Sequence, residues 1–120
     1  MKGDIDDLIN KGTVLNGLGE FENALGLFNK ALKKNPKHVV ALNNKGLVLG
    51  FLKKYEKSLL WFDKALKIKP DYEDALNNKG FALYSLGKFE DAILCYDEVL
   101  EINPENTFVL NNKKLALKQL

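Results

Sequence analysis

Residues 76–104 read LNNKGFALYSLGKFEDAILCYDEVLEINP, and residues 42–70 read LNNKGLVLGFLKKYEKSLLWFDKALKIKP. Both open on leucine, two asparagines, lysine and glycine, carry an aromatic ring late in their course (Phe62, Tyr96), and close on proline, with each feature displaced by 34 residues. Pro36, Pro70 and Pro104 extend that interval over the chain, which divides into copies at 5–38, 39–72 and 73–106 and a shorter fourth at 107–120. A period of this length marks stacked helical repeats, each of which can bury its apolar face only against its neighbours.

Within each copy a leucine (Leu8, Leu42, Leu76), a glycine (Gly12, Gly46, Gly80) and a second leucine (Leu15, Leu49, Leu83) fall four and three residues apart, the stripe of one helix, termed A. A glycine inside a helix costs roughly 1 kcal/mol against alanine, so a second helix, B, is expected to press closely there. Helix B offers the small residues Ala24, Ser58 and Ala92 as the expected counterparts, followed by the rings Phe28, Phe62 and Tyr96 and then Ala31, Ala65 and Val99. Between the helices, Leu18-Gly19 and Leu86-Gly87 supply the left-handed cap that glycine tolerates, whereas the middle copy has Lys53, so that turn is expected to be strained or differently capped. Phe21, Tyr55 and Phe89 restart the apolar pattern, and the prolines end it because none can donate to a continuing helical ladder.

These leucine, glycine, aromatic, alanine and proline columns resemble the tetratricopeptide repeat over essentially the whole chain. The resemblance implies an all-α fold: seven helices in antiparallel pairs, stacked into a right-handed solenoid as a single domain over 1–120, with A helices lining a concave face. It further implies a non-enzymatic protein-interaction module. Two departures stand out: the family often has tryptophan where Leu8, Leu42 and Leu76 stand, and leucine where this chain repeats Lys11, Lys45, Lys79 and Lys113. Lysine stems can still cover apolar surface while the ammonium reaches water. In the fourth copy the glycine column reads Lys114, which reads as a capping helix with nothing packed on it; Leu110 and Leu117 beside it are expected to be partly uncovered.

Composition narrows the function further. The chain has 120 residues and a net charge of +2 from eighteen lysines, without arginine, scattered among sixteen acids, so nucleic acid is not the expected ligand. Asp4, Asp6 and Asp7 spoil a secretory signal, and the longest apolar stretch, Gly46 to Leu52, is too short to span a bilayer, so a cytoplasmic protein with no membrane partner is expected. Cys95 is the lone cysteine, expected to be a small buried apolar residue, and His38 is expected to be a solvated residue of the connection after Pro36. Trp61 shares the column of Cys95 and is expected to pack between repeats, while Glu90-Asp91 and Asp97-Glu98 read as a solvated outer face. No phosphate-binding loop, metal cluster or nucleophile pair is present, so neither cofactor nor enzymatic activity is expected.

The remaining face of helix A is not random. Asn10, Asn44, Asn78 and Asn112 recur in register, with Asn43, Asn77 and Asn111 beside the last three. Asparagine is a middling helix former, and its amide presents both donor and acceptor, so such a row can bind the backbone of a peptide whatever its side chains. Leu47, Phe51, Phe81 and Tyr84, with Val40 and Phe108, fall at spacings that could share this face and receive apolar side chains. The row is similar to the asparagine ladder of the tetratricopeptide superhelix in O-linked N-acetylglucosamine transferase. The alternative reading is that these amides are solvated surface or bond across to the next repeat.

Tetratricopeptide domains that hold acidic chaperone tails use a carboxylate clamp of lysine and arginine. Of that clamp only Asn44 matches: Ile9 and Thr13 stand in place of its first-repeat residues, Asp74 and Asn78 replace the third-repeat cations, and Asp6 and Asp74 would repel an acidic tail. The expected partner is therefore a neutral or basic, partly apolar protein segment, extended or helical. A second expectation is self-association through the C-terminal helix, giving a monomer or weak homodimer whose groove is a by-product of the fold.

Overall fold

The computed structural model describes residues 2–120, with side chains from Asp4 onward. Among the described residues there are seven helices and no strands: α1 (Lys2–Gly17), α2 (Phe21–Lys34), α3 (Val39–Phe51), α4 (Tyr55–Ile68), α5 (Glu73–Ser85), α6 (Phe89–Ile102) and α7 (Thr107–Leu117). Each helix packs on the next in sequence, and α1, α3, α5 and α7 also touch in succession, which leaves α2, α4 and α6 on the other side. The stack measures 46 × 26 × 22 Å. No described helix is long and apolar enough to cross a membrane.

The glycines of helix A do mark the close approach, but rings rather than small residues press there. A Cβ on Gly12, Gly46 or Gly80 would lie 2.6, 2.6 and 2.5 Å from the rings of Phe28, Phe62 and Tyr96. Ala24, Ser58 and Ala92 are fully buried and let the helices close, but the flat ring is what needs the space of the missing methyl. Phe28, Phe62 and Tyr96 are themselves buried, and each stabilises the stack by about 1.5–3 kcal/mol through the surface it removes from water.

The three A-to-B turns share one geometry. Gly19 and Gly87 adopt φ +81° and +78°, and the following amides reach back to Leu15 and Leu83 at 2.9 and 2.8 Å. Lys53 adopts the same left-handed conformation, φ 63°, and Lys54 N–H still reaches Leu49 at 2.8 Å. The cap is therefore preserved and the strain is local to one lysine, at about 1 kcal/mol.

His38 has more than the solvated role expected of it. It is half-buried at the N-cap of α3, where its Nδ1 accepts from Ala41 N–H at 3.3 Å. Asn106 does the same for α7, its Oδ1 accepting from Val109 N–H at 3.1 Å. Both satisfy an amide that the first helical turn leaves without a partner.

The lysine column ties repeat to repeat. Lys79 Nζ meets Asp63 at 2.8 Å and Lys113 Nζ meets Asp97 at 2.7 Å, so Asp97 is an ion-pair partner rather than only a solvated acid. Burial opposes the Lys79 charge, but the hydrogen bond and charge of Asp63 outweigh it and hold its pKa above the usual lysine value. At the preceding junction Asn29 stands where an acid would be needed, and Lys45 Nζ lies instead 3.7 Å over the Trp61 ring, with Lys64 Nζ at 4.2 Å on the same ring. Burial, with the charge of Lys64 adding to it, lowers the Lys45 pKa. Trp61 packs against the core, and Cys95 in the same column is buried, its thiol pushed up to about 11 chiefly by that burial and eased by Lys79. A thiol so raised is a weak nucleophile at neutral pH. Lys114 is exposed, Leu110 is half-buried and Leu117 is 48% exposed.

Candidate functional site: an amide-lined groove

Residues four and three apart on the A helices share one stripe: Val40, Asn44, Leu47 and Phe51 on α3; Asp74, Asn78 and Phe81 on α5; Phe108, Asn112 and Leu115 on α7. Large apolar side chains here are left in solvent, Phe51 at 52% and Phe81 at 54% exposed, with Val40 and Phe108 exposed beside them. Nothing in the local sequence buries them, because the opposite stripe of each helix already serves the core.

Two of the amides are bonded across repeats. Asn78 Nδ2 donates to Asn43 Oδ1 at 3.1 Å, and Asn112 Nδ2 donates to Asn77 Oδ1 at 3.2 Å. Asn43 is buried, at 4% exposure, and its amide also borders the Tyr72 hydroxyl; it was expected to extend the peptide-facing row, but its oxygen is turned into the repeat interface. Burial raises the Tyr72 pKa, Asp74 adds to the rise, and the Asn43 amide partly offsets it. The cross-bonds hold the amides of Asn78 and Asn112 in one orientation and leave each side-chain oxygen unused among the described hydrogen bonds.

Asn44 differs. By the register of the other pairs its partner would be residue 9, which is Ile9, buried and apolar. Asn44 is half-buried and makes no side-chain hydrogen bond among the described residues, so its donor and acceptor capacity is unused there. Asn10 is exposed and lines a shallow hollow with Val14 and Leu15 at the α1 end.

Between α3 and α5 the stripe is interrupted by a cleft of about 390 Å³, bounded by Leu47, Gly50, Phe51, Asn78, Phe81 and Phe62. Phe51 forms a fixed wall because it stacks on Phe21, with centroids 5.3 Å apart and planes at 6°. Lys53 lines one mouth of the cleft, and no acid lines it. Tyr84, half-buried, meets Phe89 edge to face at 5.1 Å and accepts from Gln119 Nε2 at 3.4 Å. Among the expected residues, the structure thus brings Leu47, Phe51, Asn78 and Phe81 to one cleft and places Asn44 beside them on α3. It sets Tyr84, Asn112 and Phe81 around a second, much smaller one. Gly50 was not among the expected site residues, since glycine does not recur at its column; the signal was that its counterparts are Asn16 and Tyr84. The described residues contain no cluster of histidine, cysteine and acids able to hold a metal ion.

Antiparallel helix pairs at a fixed period, stacked so that one face of every first helix is left open, define a helical-repeat protein. Models of the tetratricopeptide repeat match residues 27–59 and 73–106, and a TPR repeat model matches 52–87, so the matches run continuously from 27 to 106. The chain belongs to the tetratricopeptide repeat family. No curated protein matches it in sequence. Among solved structures, the first TPR of Spaghetti (RPAP3) bound to the HSP90 peptide SRMEEVD is 24% identical, over 97% of this chain and 92% of that one, with TM-score 0.92. The first TPR domain of human RPAP3 is also 24% identical, over 97% and 91%, with TM-score 0.93, and the Sgt2 TPR domain from Aspergillus fumigatus is 19% identical, over 96% and 78%, with TM-score 0.90. At these identities the likeness is one of fold.

Proposed function

We propose that this chain is a non-enzymatic protein-interaction module whose groove holds an extended or helical segment of another protein. Asn44 and Asn78 grip the backbone of that segment, Asn10 and Asn112 lengthen the row, and Leu47, Phe51, Phe81 and Tyr84 receive its apolar side chains. The carrying observation is the state of the amides: Asn44 has no partner among the described residues, while Asn78 and Asn112 are fixed by their cross-bonds with an acceptor unused among the described hydrogen bonds. A pre-oriented amide loses less freedom on binding than a mobile one. That a neighbour of the same fold was solved with a peptide supports the partner class. Asp6 and Asp74 are exposed, which favours a neutral or basic segment.

The test is selection of displayed random peptides of about twelve residues on the intact chain, followed by titration of the winners against Asn44→Ala. One lost backbone bond of about 1 kcal/mol lowers affinity about fivefold, without a change in melting because Asn44 makes no side-chain bond among the described residues. Winners that bind Asn44→Ala as tightly as the parent would refute the groove.

The second reading is self-association through α7, favoured by Leu117, which is large, apolar and 48% exposed, with Leu110 half-buried on the same helix. It requires a mass that rises with concentration in sedimentation equilibrium and falls to the monomer in Leu117→Glu; a concentration-independent monomer rules it out.

A further inference from the structure

One position distinguishes the gaps between successive repeats. Counted at the 34-residue period, Gly50 of α3 corresponds to Asn16 of α1 and Tyr84 of α5. Tyr84 nearly closes its own gap: the cleft bounded by Phe81, Tyr84, Tyr96, Asn112 and Leu115 holds about 40 Å³. The same cleft one period earlier, bounded by Leu47, Gly50, Phe62, Asn78 and Phe81, holds about 390 Å³. Asn16 stands in the first gap with its Oδ1 buried. Only at Gly50 is the side chain missing.

Packing does not demand that glycine. Gly12, Gly46 and Gly80 each abut a ring, but a Cβ on Gly50 would meet nothing within 4 Å, and Gly50 is not in the left-handed region. Helical glycine is disfavoured relative to alanine, and here no contact offsets the penalty. What the glycine leaves is open space at the place where Tyr84 stands in the next copy, roomy enough for an aromatic ring and walled by the rings of Phe51, Phe62 and Phe81. Aromatic walls favour an aromatic guest in edge-to-face or offset contact.

Charge orients the guest. Asp74 lies one helical turn before Asn78 on the same stripe of α5, exposed and with no ion pair among the described residues. Lys53, which follows the C-terminal end of α3, lines the cleft and disfavours a cation beside it, whereas Asp74 stands in the first turn of α5. Asp74 and Phe81 are separated by about 10 Å along α5, a distance that an extended chain covers in about three residues.

We propose that the Gly50 cleft is the specificity pocket of this module: it takes one aromatic side chain of a partner segment, with a lysine or arginine about three residues away held by Asp74. This rests on the groove being a peptide site, and it adds what that site selects.

Displayed random peptides of about twelve residues are selected in parallel on the intact parent chain, on Gly50→Tyr and on Asp74→Lys. The parent pool is expected to share an aromatic residue with a basic residue about three positions away. The Gly50→Tyr pool is expected to lose the aromatic, and the Asp74→Lys pool to exchange the basic residue for an acid. Synthetic parent winners should bind about tenfold or more weakly to Gly50→Tyr, and equally weakly to the parent chain once their aromatic is replaced by alanine, as the loss of one buried ring requires. The peptide substitution keeps the test valid even if Gly50→Tyr were to fold poorly. Winners that bind Gly50→Tyr and the alanine peptide undiminished, yet weaken on Asn44→Ala, overturn the pocket and leave the groove standing. Winners indifferent to Asn44→Ala as well, or no enriched peptide at all, overturn both.

Discussion

Gly46→Ala and Gly50→Ala add the same methyl one turn apart in the same helix, and the structure requires them to change stability in opposite directions. Helix propensity alone favours alanine at both positions, by about 1 kcal/mol in a helix interior and less in the last turn. At Gly50 that gain stands nearly alone, because the new Cβ meets nothing within 4 Å. At Gly46 the new Cβ would lie 2.6 and 2.7 Å from two carbons of the Phe62 ring, about 1 Å inside ordinary contact. Phe62 is 2% exposed and held between α3 and α4, so its ring can relieve the overlap only by leaving its packed position towards the Gly50 cleft that it borders, or the helices must separate. Overpacking of this kind costs about 1–3 kcal/mol, and so deep an overlap belongs at the upper end. Subtracting the propensity gain leaves Gly46→Ala less stable by about 2 kcal/mol and Gly50→Ala more stable by about 0.5 kcal/mol. In thermal melting followed by helical circular dichroism the first should lose about 8 °C and the second gain about 2 °C. Adding Phe62→Leu to Gly46→Ala should recover part of the loss, because the smaller side chain can yield; a double-mutant cycle reads that coupling. If Gly46→Ala melted at or above the parent temperature, the close approach would not be the reason for the glycine column, and the register built on it would fall.

Three further outcomes follow from the same geometry. Lys53→Gly removes the strain of a left-handed lysine and should stabilise the chain by about 1 kcal/mol in urea denaturation, whereas the same change at exposed Lys54, which is outside that region, should not. Asn78→Ala should destabilise by about 1–3 kcal/mol, because it strands the buried Asn43 oxygen, while Asn44→Ala should cost less than about 0.5 kcal/mol; equal losses would contradict the cross-bonds. Burial pushes the Cys95 thiol up to about 11 and, with Cys95 adding to it, the Tyr96 hydroxyl up to about 12, so the unfolded chain ionises first and stability present at neutral pH is lost between about pH 8.5 and 11. Lys45, lowered by burial, contributes with the opposite sign, so the reading is comparative: Cys95→Ala should flatten the fall of the urea midpoint between pH 8 and 10, and an unchanged slope would refute it.

Much of the architecture is legible because the repeat states each local rule three times. The proline interval, the leucine and glycine stripe and the glycine caps are all local or nearest-neighbour effects, and each appears in the structure where the sequence places it. The identity of the atom facing Gly46 is not local: it depends on how far α4 slides along α3, and propensity cannot distinguish Ser58 from Phe62 as the partner. His38 was likewise readable only in part. Its side chain can cap a helix, but histidine is not the usual residue at an N-cap, and the neighbouring copies hold Tyr72 and Asn106 in that column.

The candidate groove marks the boundary between repetition and exception. Asparagine recurs in two adjacent columns, and from sequence every member has an equal claim on a ligand. Packing the A helices side by side divides them: the Asn43 and Asn77 oxygens turn inward to accept from the next repeat, while Asn78 and Asn112 are held by that bond. Ile9 breaks the series at its first step and thereby frees Asn44. Gly50 breaks it again by emptying a gap that Tyr84 fills in the next copy. Both exceptions fall on α3, in the middle of the groove, where a bound segment would be covered on both sides. A perfectly regular array would offer the same contacts at every step and could not fix the register of a guest. A side-chain amide with no hydrogen bond among the described residues and an open cleft stand together on α3, and under the proposed function that pair is the point from which register would be counted.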